Sequence, residues 1–387
     1  MQRLFLLLIT LPAIAHAQAP PRDHQITIDD YGTLATIREL AVSPDGKFVA
    51  YTEARWDTAD DLSKTDLWVV ATDGKGKPTR LTFDRANDRH PKWSADGKVI
   101  YVLGNRKSVT EGKTQLWRID AASGFALAIT KNEGGITHFD YAPKADSIYF
   151  SIDSETTDKD EFSALRSKHK ADYGHGTRKI SEIHRLDLQT WRTEKLVADN
   201  RYVREFAVTQ DGKRIAMVSC IDDTVIKSEG ESRVDVWEAG KITTPPTDVY
   251  RAKAASPHAW LESLAWNWDG TRVAFCAIFD AYPAEMVSIA VKDEKWKASI
   301  PNRQGIQLRG YGTAIHWLTP QTVGVLVESA GDVVFRTANL DAGELHLKEP
   351  LDKNVVESWI GYPRTGAGTG IIRLRGGPNS LASVMAT

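Results

Sequence analysis

The sequence predicts an all-β protein, a β-propeller of about seven four-stranded blades, six recognisable and the last incomplete. Three observations predict it. A turn motif centred on Asp-Gly recurs along the chain at intervals of 48–67 residues. The 387 residues include 12 Trp against 4 Met, which suits pleated, half-buried strands better than a helical bundle. Nowhere do strand patterns alternate with helical ones, so a parallel α/β sheet is excluded.

The repeat begins at Ser43-Pro-Asp-Gly-Lys-Phe-Val-Ala-Tyr51 and returns at Ser94, Thr209 and Asn267, with weaker copies at Ala142 and Thr319. Its physical content is a hairpin. Asp-Gly supplies the positive φ that a tight turn between twisted strands needs. An apolar strand precedes each turn, as in Leu40–Val42, Pro91–Trp93, Phe206–Val208 and Leu264–Trp266. A β-branched and aromatic strand follows. A third strand comes next (Asp66–Val70, Gln115–Ile119, Glu182–Leu186) and then a short fourth (Pro78–Thr82, Thr193–Val197). One such unit cannot bury both of its faces; packing units around an axis does. A two-sheet sandwich has no reason to repeat its turn chemistry.

Residues 1–17 read as a secretory signal peptide: one Arg, an apolar run from Leu4 to Ala15, then Ala15-His16-Ala17. The run is broken by Pro12 and is too short to span roughly 30 Å of hydrocarbon. The expectation is an exported protein, periplasmic or secreted, with no membrane span after cleavage. Residues 18–36 form a lead-in and 37–387 the propeller. Residues 155–179 are an insertion in the third blade, acidic in its first half and basic with His in its second. A solvated decoration is the simpler reading of such a run. After Trp359 the chain becomes Gly-rich, and Ile371–Arg375 is the remaining strand of an unfinished seventh blade.

Lys and Arg total 49 against 51 Asp and Glu, so the basic excess of a nucleic-acid binder is missing. Cys220 and Cys276 both end apolar runs and are expected as buried small hydrophobes. No Cys/His spacing reads as a zinc site. His90, His138 and His316 fall at first-strand positions and are expected to pack or cap. Asp88-Arg89-His90 is expected as a surface turn with an ion pair. Trp68, Trp117 and Trp237 occupy equivalent third-strand positions, which argues for inter-blade core. A metal or sugar in the central channel would need ligands from several blades, and no common Asp, Glu or His is evident at equivalent positions. No catalytic, cofactor or metal residue is therefore assigned.

Ser43–Tyr51, Asp66–Val70, Leu81-Thr82, Pro91–Tyr101, Gln115–Ile119 and Arg178–Leu188 together resemble the propeller half of the prolyl oligopeptidase family of serine peptidases. The nearest branch is the acylaminoacyl-peptidase and dipeptidyl-aminopeptidase-like one. The tail Arg375–Val384 is similar to the segment that ends the last blade before that family's hydrolase domain. The resemblance implies a propeller over an α/β-hydrolase carrying Ser, Asp and His, the propeller admitting short peptides and refusing folded proteins. No Gly-x-Ser-x-Gly nucleophile elbow occurs here; Gly366-Ala-Gly-Thr-Gly370 has Gly where the nucleophile would stand. The hydrolase domain is thus expected to be absent from this chain, which alone should be inactive. Its partners are then short peptides, or the hydrolase domain in a full-length protein. TolB-like periplasmic propellers share the Ser-Pro-Asp-Gly turn, so a free-standing propeller that binds a protein or peptide is the alternative.

Overall fold

The computed structural model describes most of residues 25–386; the larger segments outside the description are 1–24, 158–166, 170–176, 246–257, 344–355 and 362–371. The signal peptide and most of the insertion lie outside the described residues. A short helix, Ile28–Thr33, precedes the first strand, Ala35–Val42. Among the described residues no helix is long and apolar enough to cross a membrane.

Each turn of the repeat joins the first two strands of a blade. Blades one to four, at 35–80, 89–128, 138–197 and 202–243, are separate four-stranded antiparallel sheets whose strands pair in chain order. Blade five spans 259–299. Blade six has strands His316–Trp317, Thr322–Ser329 and Asp332–Asn339. Blade seven shows three strands, Val356–Gly361, Ile372–Gly377 and Ser380–Ala386. A short strand, Gln307-Leu308, bridges blades five and six, and one parallel pair, Val333 with Val356, joins six to seven.

The turns show why the motif needs more than Asp-Gly. Gly46, Gly97, Gly212 and Gly270 sit at φ 69–73°, a region other residues avoid. Three places earlier, an oxygen-bearing side chain closes the loop. Ser43 Oγ donates to Asp45 at 2.7 Å and accepts from the Phe48 amide at 2.9 Å. Ser94 and Thr209 repeat this arrangement, and Asn267 Oδ1 takes the Thr271 and Arg272 amides.

Strand Val99–Gly104 is buried on both faces. Ile100 and Val102 pack towards Leu67 and Val69 of blade one, while Val99, Tyr101 and Leu103 pack towards Phe139 and Ile148 of blade three. The same division by alternate residues builds a core between every successive pair up to blades five and six. A further cluster of Leu40, Val42, Val49 and Tyr51 with Ile372 and Leu374 joins the first blade to the last. The ring closes there by side-chain packing; among the described residues no strand is exchanged between the two blades.

Three expectations are refined. Residues 155–157 and 177–179 are not loop: they extend the hairpin of Ser147–Thr157 with Thr177–Asp187 in unbroken register. Cys220 and Cys276 are buried thiols without a disulfide. Trp117 is buried between blades one and two, and Trp68 and Trp237 pack against neighbouring inter-blade clusters.

Candidate functional site: the central channel

The first strands of blades one to six line two adjoining cavities of about 380 and 300 Å³. Leu40, Pro91, Lys92, Asp140, Ala207, Leu264 and Ile315 border both. The two ends differ in chemistry because the first strands are bulged near their start. Register breaks fall between Ile37 and Leu40, Arg89 and Lys92, Val203 and Glu205, and Glu262 and Ala265. His90 and Ser263 take positive φ there, 56° and 65°. A bulge re-aims side chains and leaves backbone amides off the ladder. Those amides need acceptors.

Acceptors come from the preceding blade. Glu39 takes the His90 amide at 2.7 Å and lies 2.9 Å from His90 Nδ1. Asp140 accepts from the Val208 amide at 2.8 Å. Glu205 takes the amides of Ser263 at 2.9 Å and Leu264 at 2.6 Å. Glu262 accepts the Gly312 amide at 2.8 Å and the Trp260 indole at 2.9 Å. His138 lies 3.0 Å through Nε2 from the Phe206 carbonyl, with its ring edge-on to Phe206. A charged wall at this end of the channel is therefore also a chain of inter-blade latches.

One repeat position gathers at this end of the channel. Glu39, His90, His138 and Glu205 each stand four residues before the turn position of their blade (Ser43, Ser94, Ala142, Thr209), and all four border the larger cavity. The position supplies acidic and imidazole groups in four blades, with no residue type common to all of them. Extending the repeat alignment four residues upstream would have found them. Among the described residues, even so, no group of three or more His, Cys, Asp or Glu is placed to hold a metal ion.

One expectation is corrected at Asp88, which is not on a surface turn. It is 1% exposed and receives two hydrogen bonds from Arg106, at 2.7 and 2.8 Å. Arg106 also reaches Asp84 at 2.6 Å and stacks over Trp117. His90, two residues on in the motif, borders the channel instead.

The opposite end is aromatic. Trp93, Trp266 and Trp317 border the smaller cavity. Each donates its indole N–H to a carbonyl one blade back: Ala41, Ala207 and Ala265, at 2.9, 3.0 and 2.9 Å. In blade three Tyr141 takes the Trp position, and its hydroxyl accepts the Ala95 amide at 3.3 Å. Lys92 and Asp140 pair across blades two and three at 2.9 Å. His316 borders the cavity as well, and burial holds its imidazole down at about 4, so it is neutral.

Burial shapes protonation at the charged end. It pushes the Glu205 carboxyl up to about 7, against its two backbone hydrogen bonds. It pushes the His138 imidazole down to about 3, helped by His90 and Lys92. At neutral pH His138 is uncharged and Glu205 is divided between its two forms.

No family model matches the chain. Dipeptidyl-peptidase 5 of Porphyromonas gingivalis is 32% identical over 128 residues, 33% of this chain and 18% of that protein. The β-propeller domain of the Trilobed protease from Pyrococcus furiosus superposes with TM-score 0.57 and 10% identity, covering 92% of this chain and 94% of that one. This chain is similar to the propeller part of a prolyl oligopeptidase-family peptidase. A Pyrococcus horikoshii acylaminoacyl peptidase superposes on 92% of this chain, with TM-score 0.61 and 12% identity. The propeller spans about half, 51%, of that enzyme's length.

Proposed function

We propose that the chain is the substrate-gating propeller of an exported serine peptidase that acts on short peptides once joined to an α/β-hydrolase domain. The observation that carries the reading is the channel itself. Its two cavities sum to several hundred cubic ångströms, the scale of pockets that take small ligands. Cavities of that volume are far smaller than a folded domain and comparable with a peptide of a few residues, which is what supports a gate for short peptides. The latches and indole bonds tie the first strands of blades one to six to one another around that space. Catalysis needs a nucleophile and base presented by a rigid scaffold, and the reading assigns that scaffold to a separate hydrolase domain.

Two experiments test this. Purified residues 18–387 should release no chromophore from peptidyl or aminoacyl chromogenic substrates. Turnover that a serine-directed inhibitor abolishes would refute the reading. Coding DNA downstream of codon 387 should carry an α/β-hydrolase with Gly-x-Ser-x-Gly. A stop codon with no such fold beyond it would leave a free-standing binding propeller instead.

A further inference from the structure

Among the described residues, Glu205 is the one channel carboxylate that holds two backbone amides of the next blade at once. Oε2 takes Ser263 at 2.9 Å and Oε1 takes Leu264 at 2.6 Å. Both amides belong to the bulge of the fifth blade's first strand, where Ser263 is held at a φ of 65°. For a residue other than Gly such a φ persists only while its surroundings enforce it. A carboxylate can accept through both oxygens. A protonated carboxyl accepts well through its carbonyl oxygen alone, since the other has become a hydroxyl.

We propose that Glu205 is a titrating latch: ionised, it fixes the bulge of blade five against blade four, and protonated, it lets go of the Ser263 amide. The proton goes to Oε2, whose bond is the longer, and the 2.6 Å bond to Leu264 is kept. Release frees a backbone amide to face the larger cavity, and it removes one negative charge from the channel wall. The switch is built into the wall of the ring, whatever passes through it.

The groups around Glu205 set where it switches. Glu262, on the facing strand, carries a like charge that opposes ionisation. Arg204, on its own strand, favours ionisation; its guanidinium stacks over Trp260 at 3.6 Å and donates to Ser228 Oγ at 2.6 Å and to the Leu261 carbonyl. The Cys276 thiol on the neighbouring strand is held protonated by burial. From blade three, His138 contacts Phe206 beside Glu205 and is neutral. Burial leaves the carboxyl at about 7, so the switch falls within an ordinary pH range.

Amide hydrogen exchange of residues 18–387, read as protection factors from pH 5.5 to 8.5, tests the latch. Protection of Ser263 should rise about tenfold across a midpoint near pH 7, the size of one hydrogen bond. Leu264 and the Phe150 amide should stay level. In Glu205→Gln the step at Ser263 should vanish. In Glu262→Gln, which keeps the latch and removes the neighbouring charge, the midpoint should move to lower pH. A flat Ser263 profile in the natural protein overturns the proposal. So does a step that survives Glu205→Gln, or, should that variant not fold, a midpoint that Glu262→Gln leaves unmoved.

Discussion

Trp266 donates its indole N–H to the carbonyl of Ala207 at 3.0 Å, crossing from the fifth blade to the fourth. The two are 59 residues apart in the chain and border the same cavity. Trp93 with Ala41 and Trp317 with Ala265 make the same bond two other times around the ring. The indole thus does two things at once: its ring surface walls the channel and its N–H fixes the spacing of adjacent first strands. Trp266→Phe keeps most of the apolar surface and loses the bond. It should cost about 1–3 kcal/mol, since a buried carbonyl is left without its partner. Urea unfolding of the two proteins checks this; equal midpoints would show that the bond does not hold the blades.

Asp88 and Arg106 form a buried pair within the second blade's first loops, with Asp88 1% exposed. Removing one partner leaves a buried charge, so Arg106→Met should destabilise by about 3–5 kcal/mol. The double variant Asp88→Leu with Arg106→Met should recover much of that loss. A double-mutant cycle by denaturant unfolding measures it, and a double variant no better than the single would contradict the pairing.

Two channel glutamates should give stability of opposite pH dependence. Burial raises the Glu39 carboxyl, but hydrogen bonds and charge from His90 together bring it below its usual 4.5. Its contribution is present above that value and is lost as pH falls through the lower folded one. Glu205 is raised to about 7. The fold then binds its proton more tightly than the unfolded chain does, so its contribution is full below 4.5 and declines as pH climbs to about 7. Glu205 is partly open to the channel, which limits the effect to on the order of 1–3 kcal/mol. Unfolding midpoints between pH 5 and 7.5 should therefore slope downward with a component that Glu205→Gln removes. An unchanged slope in that variant would contradict the assignment.

The seam between the first and last blades rests on Ile372 and Leu374 packed against Leu40, Val42, Val49 and Tyr51. Each of the two is 2% exposed. Leu374→Ala should cost about 2–5 kcal/mol. The loss should be accompanied by faster hydrogen exchange throughout 372–386 while blades two to four keep their protection. Uniform loss of protection around the ring would show that the seam has no separate stability.

Much of this architecture was legible in the chain because its information is local. Asp-Gly at Asp45-Gly46 or Asp211-Gly212 dictates a turn whatever surrounds it, and runs such as Val99–Leu103 announce a strand buried on both faces. The channel was harder to read. Glu39, His90, His138 and Glu205 share a repeat position but not a residue type, so an identity-based repeat passes over them. Their roles depend on partners in neighbouring blades about 50 to 70 residues away, which no window of sequence contains. Asp88 was misplaced for a related reason. Its partner Arg106 lies across a hairpin, and the adjacent Arg89 and His90 offered a local ion pair that the fold does not use.

The most direct test of the account is a fluorescence titration of residues 18–387 through the channel indoles Trp93, Trp266 and Trp317. A short unstructured peptide should produce a saturable change, and a small folded protein of the same net charge should produce none. Ala314→Trp, which places a bulky ring in the wall of the larger cavity, should abolish the response to the peptide while leaving the unfolding transition cooperative. A response to the folded protein equal to that of the peptide, or a peptide response untouched by Ala314→Trp, would contradict the claim that this ring sorts peptides through its centre.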